Sequence, residues 1–136
     1  MSKVQIWTDG SCFPNPGPGG WAVVYLNGDQ RKEIAGGQAE TTISRMELMA
    51  AIAGMLLLPK DHQGAELFTD SQYVEGVISG RFKRIKKNHV LVATLQLLCS
   101  RHAVQVHWIR GHVGYPENER CDQLAAEQRE KYTHGR

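Results

Sequence analysis

The chain has 136 residues, of which 41% are hydrophobic and 22% charged, proportions that suit a globular protein and exclude a disordered or coiled-coil chain. Its length predicts a single domain over residues 1–136 that hides about two thirds of its unfolded surface. The formal net charge is +2, but residues 1–80 carry net −4 and residues 81–136 net +6, an asymmetry that fits a polyanionic partner.

No window reaches the roughly 18 uncharged apolar residues of a membrane span; the longest candidate, Met46 to Leu58, is interrupted by Glu47. Met-Ser-Lys-Val leads straight into alternating residues, without the apolar run of a secretory signal. A monomeric, cytoplasmic protein with no membrane contact is expected. Cys12, Cys99 and Cys121 are odd in number and lack Cys-x-x-Cys spacing, so free thiols are expected rather than disulfides or a zinc knuckle.

Val4, Ile6 and Thr8 alternate with Lys3, Gln5 and Trp7, which predicts a strand ending at Asp9. The stretch Pro14 to Gly20 reads as a turn. Trp21 to Leu26 and Arg31 to Gln38 predict two further strands around Asn27-Gly28-Asp29, forming an antiparallel meander. Ser44-Arg-Met-Glu47 has the form of a capping box and opens an apolar helix ending before Pro59. Ala65 to Thr69 is a short strand ending at Asp70, Ser71 to Ser79 a helix stopped by Gly80, and Arg81 to Lys87 a basic segment with five cations. A helix from His89 to Arg101, a strand over Val104 to Arg110 and a helix opened by Pro116 complete the chain. Helical crossovers between the later strands imply parallel pairing, hence an α/β fold with a mixed sheet and helices on its faces.

In such sheets chemistry gathers beyond the carboxyl ends of strands, where Asp9 and Asp70 are expected. Each alone could simply cap a turn. Glu47 could complete the capping box, and Asp122 could complement the dipole of the last helix. All four bland explanations would have to coincide, whereas four carboxylates around one cleft are the oxygen ligands suited to Mg²⁺ or Mn²⁺. A pair of such ions drives in-line phosphoryl displacement. His112, in a Gly-His-Val-Gly loop, could move a proton.

Four blocks carry a family resemblance: DGSCFPNPGPGG (Asp9 to Gly20), TTISRMELMAA (Thr41 to Ala51), FTDSQYV (Phe68 to Val74) and GHVGYPENERCDQLA (Gly111 to Ala125). Together, and in this order, they resemble type 1 ribonuclease H. The resemblance implies a five-stranded sheet of order 3-2-1-4-5 and endonucleolytic hydrolysis of the RNA strand of RNA/DNA hybrids. It implies two Mg²⁺ ions, with Asp9 bridging them, Glu47 and Asp70 completing one site and Asp122 the other, His112 as the auxiliary histidine, and 5′-phosphate and 3′-hydroxyl product ends. Cys12, Asn15 and Gln72 match hybrid-contacting positions, and Thr42 one near a DNA-strand phosphate. Largely sequence-independent recognition follows from backbone and groove-shape contacts.

The chain departs from its relatives at two places. Ile43 and Ser44 stand where an Asn-Asn pair is frequent, and the basic segment is short, with Phe82 its only aromatic. Lys83, Arg84, Lys86 and Lys87 are expected to replace part of a longer basic protrusion. A hybrid-binding module without activity would be expected to lack one of the acids, and all four are present. Another phosphoryl-transfer enzyme on this fold would lack the joint presence of Asp9-Gly10-Ser11 and the run from Glu117 to Asp122.

Overall fold

A computed structural model describes residues 3–134. In chain order its elements are β1 (Val4–Cys12), β2 (Gly17–Asn27), β3 (Gln30–Thr41), α1 (Ile43–Met55), β4 (Ala65–Thr69), α2 (Gln72–Ser79), α3 (His89–His102), β5 (Gln105–Trp108) and α4 (Pro116–His134). The strands form one sheet of order β3-β2-β1-β4-β5. The first three are antiparallel, with Asp9 opposite Ala22, while β4 runs parallel to β1 with Trp7 beside Phe68, and β5 parallel to β4 with Thr69 beside Trp108. The expected mixed sheet and strand order are therefore present.

Alternation along β1 and β2 divides the core between the two faces. Val4, Ile6, Val23 and Tyr25 pack with Leu48, Ala51 and Met55 of α1, and with residues of α2 and α3, on one face. Trp7, Ala22 and Val24 meet Cys121 and Ala125 of α4 on the other. Each fully buried large apolar side chain contributes about 1.5–3 kcal/mol.

Some boundaries differ from the sequence expectations for tertiary reasons. β1 does not stop at Asp9 but continues to Cys12, because β2 supplies a partner as far as Cys12 opposite Gly19. Pro18, Gly19 and Gly20 lie in β2 rather than in a turn. A Cβ at position 20 would stand 2.2 Å from the Ala125 carbonyl oxygen, so glycine there serves close helix-to-sheet approach. α1 is capped not by Ser44 but by Thr42, whose Oγ1 accepts the Arg45 amide at 3.2 Å. Glu47 is thus released from a capping box. Ser71 caps α2 and Gly80, at φ 81°, ends it in the left-handed region. β5 is shorter than expected, covering only Gln105–Trp108.

Candidate active site

β1 and β4 pair in parallel as far as Trp7 and Phe68, so continuing that register two residues places Asp9, within β1, beside Asp70, just past the end of β4. α1, crossing behind the sheet, brings Glu47 to the same point. One carboxylate oxygen from each of Asp9, Glu47 and Asp70 lies within 4.8 Å of the others. Asp9 and Glu47 are only 4% and 8% exposed. No Lys, Arg or His among the described residues forms an ion pair with any of the three.

Burying anions without cations raises their proton affinity. Asp9 is pushed well above the carboxylate range, first by burial and then by Glu47, Asp70 and Asp122, against the Gly10 amide that donates to its Oδ1 at 2.9 Å. Glu47 is raised first by burial and then by Asp70, with the Gly10 amide and the Asp9 and Ser71 side chains opposing the shift. The donor set is all carboxylate oxygen, crowded and uncompensated, which is what a hard divalent cation requires. Asp122, half-buried on α4, lies outside this tight group but close enough to act electrostatically on Asp9.

The remaining candidates divide between the rim of the cluster and a separate groove. His112 is exposed, at φ 61°, in the loop between β5 and α4. Its neighbour Gly111 lies against Asp70, where a Cβ would come within 2.7 Å of Oδ2. Asn15, Thr42, Arg84, Lys86 and Lys87 line one groove of about 620 Å³, together with Arg45 and Asn88. Asn15 Oδ1 accepts the Ile43 amide at 3.1 Å, which ties the loop after β1 to the start of α1. Cys12, Gln72 and Lys83 are not part of that lining. The Cys12 thiol faces the carbonyl oxygens of Pro14, Gly17 and Thr41, and burial raises its pKa. Gln72 and Lys83 are exposed. Arg81, the fifth basic residue of the segment, is paired with Glu75 and stacked over Phe82.

Two contributors were not singled out from the sequence. Asn118, 2% exposed, donates from Nδ2 to Asp70 Oδ2 at 3.3 Å. Gly10 leaves room for Glu47, since a Cβ there would lie 2.7 Å from the Glu47 amide nitrogen and 2.8 Å from its Oε1. In the sequence Asn118 stands within the run from Glu117 to Asp122, one helical turn before Asp122, but was given no role there.

Comparison with known proteins gives a consistent result. The RNase H family profile matches residues 1–130. The ribonuclease H of Nitratidesulfovibrio vulgaris is 45% identical over 141 aligned positions, covering 94% of this chain and 90% of that protein. That of Rhizobium johnstonii is 43% identical, covering 100% of this chain and 97% of the relative. Among solved structures, the N-terminal RNase H domain of a Mycobacterium tuberculosis protein, determined as a fusion with maltose-binding protein, superposes with a TM-score of 0.83 at 24% identity over 99% of both chains. LC11-RNase H1 in complex with an RNA/DNA hybrid superposes with a TM-score of 0.78 at 22% identity, covering 95% of this chain and 98% of the other. Among the described residues no helix is long and apolar enough to cross a membrane.

Proposed function

The chain belongs to the RNase H family, and from that premise we propose that it cleaves the RNA strand of RNA/DNA hybrids endonucleolytically, with little regard to sequence, leaving 5′-phosphate and 3′-hydroxyl ends. The observation that carries the reading is the group of Asp9, Glu47 and Asp70, the first two buried and none in an ion pair among the described residues, with oxygens within 4.8 Å of one another. Residues 1–136 would act as one catalytic domain, monomeric and cytoplasmic.

Asp9, Glu47, Asp70 and Asp122 would hold Mg²⁺, with Mn²⁺ as a substitute. When bound, two such ions supply an activated water and charge stabilisation at the leaving oxygen of an in-line displacement. The protein's own groups set the geometry. Gly10 donates to Asp9 and Asn118 to Asp70, which fixes the orientation of two carboxylates before substrate arrives. His112, exposed beside Gly111, would carry a proton between the reacting oxygens and solvent.

The groove lined by Asn15, Thr42, Arg84, Lys86 and Lys87 would take the DNA strand. Cations there neutralise phosphates and give affinity without base readout. Lys83 would add to the same positive field from outside the groove. Cys12 and Gln72 would border the minor groove, where only ribose offers a 2′-hydroxyl to distinguish the strand that is cut.

Incubating the protein with a labelled hybrid, single-stranded RNA and double-stranded DNA, each with Mg²⁺ or with excess chelator, tests the reading. RNA-strand cleavage of the hybrid in Mg²⁺ alone is expected. Efficient cleavage in chelator, or equal cutting of the DNA duplex, would refute it.

A further inference from the structure

Arg129 is a cation that the basic segment does not account for. It lies on α4, seven residues after Asp122, and therefore on the same side of that helix. Its Nη1 donates to Ser11 Oγ at 2.6 Å. Ser11 is two residues beyond Asp9 on β1, so alternation gives both the same face, about 6.5 Å apart along the strand. That interval is comparable with the spacing of successive phosphates in one nucleic-acid strand.

The position of this cation is fixed. α4 approaches β2 so closely that a Cβ at Gly20 would stand 2.7 Å from the Arg129 amide nitrogen, and the Ser11 hydroxyl holds the far end of the side chain. A guanidinium has five N–H donors; Ser11 takes one and Glu130 another at 3.4 Å. The other three have no hydrogen-bond partner among the described residues, and 26% of the side chain is exposed. Four carboxylates nearby repel any phosphodiester laid across them, and a planar fork is well suited to hold a phosphate against that repulsion.

We propose that Arg129, tethered by Ser11, is a substrate-contact residue that binds the RNA-strand phosphate next to the one being cleaved. The inference rests on the hybrid-cleaving reading above.

Steady-state kinetics on the hybrid over a range of salt concentrations, with a thermal melt of every variant, test it. Arg129→Met should raise KM about five- to tenfold and leave kcat within about twofold. The log–log salt dependence should flatten by about 0.7–0.9, the loss of one phosphate contact. Arg129→Lys should restore the slope, and Ser11→Ala should keep it while raising KM less. If Arg129→Met fails to fold, Arg129→Gln replaces it. An unmoved KM and slope, whatever the melting temperature, would overturn the proposal, as would a slope that Arg129→Lys does not restore. A parent protein that leaves the hybrid uncut refutes the underlying reading instead, so the two failures are distinguishable.

Discussion

Replacing Asp70 by Asn removes one charge from the acidic cluster at nearly constant shape, and its effect on stability separates a metal site from a structural role. At the 4.8 Å bound on the carboxylate oxygens, two unit charges in an effective dielectric of about 20 repel by about 3.5 kcal/mol. Asp9 and Glu47 relieve part of this in the metal-free protein by holding protons, so the expected net gain for Asp70→Asn is about 1–3 kcal/mol. The amide keeps an oxygen for the Asn118 donor, and little is lost there. For a chain of this length the gain corresponds to a melting temperature higher by about 4–10 °C in chelator. Added Mg²⁺ stabilises the folded state by RT ln(1 + [L]/Kd), about 2.7 kcal/mol at one hundred times Kd; the variant, one ligand poorer, should gain less. Hybrid cleavage should fall to near background. A melting temperature clearly below the parent's, with cleavage largely retained, would refute the reasoning and assign Asp70 to a turn.

Two other outcomes follow from the same geometry. Because the Asp9 and Glu47 pKa values are raised on folding, their contribution to metal-free stability is full below the ordinary carboxylate pKa and is lost as pH rises through the raised values, by about 1.4 kcal/mol per pH unit for each proton retained. Denaturant melts in chelator between about pH 5 and pH 8 should show this decline, which Mg²⁺ should diminish; rising stability over that interval contradicts it. Glu33, held at about 2 by Arg120 and Arg31, acts in the opposite sense and only at more acid pH. Changing Arg84, Lys86 and Lys87 together to Ala should raise KM for the hybrid and flatten its salt dependence by about 0.7–0.9 per lost contact. Unchanged kinetics would make the segment a connector alone.

The sequence was most legible where structure is local or strictly periodic. Alternation gave the strands, and Pro59, Gly80 and Pro116 punctuated the helices near their observed ends. Four acids at two strand ends and on two helices could be read as a group because the α/β topology predicts where strand ends point. What escaped depends on partners distant in sequence. Ser44 matches the capping-box pattern and Thr42, with Arg45 three residues on, does not; only the folded chain, in which Thr42 takes the Arg45 amide and Glu47 turns towards β1, decides between them. Gly19 and Gly20 look like a turn until Thr41 and Met46 are set against the first and the backbone of α4 against the second. Asn118 and Arg129 read as surface residues of a charged helix; their partners, Asp70 and Ser11, are 48 and 118 residues away.

The two faces of the sheet are unequally filled. Among the described residues, sixteen buried ones form the cluster beneath α1, α2 and α3, and six the one beneath α4. α4 packs across β1, β2 and β3, so the smaller cluster is what seats this helix on the antiparallel half of the sheet. That seating positions Asp122, Asn118 and Arg129 together, while Asp9, Glu47 and Asp70 stand on or beside elements that contribute to the larger cluster. The acidic group and its neighbours are therefore assembled across two separately packed faces of one sheet.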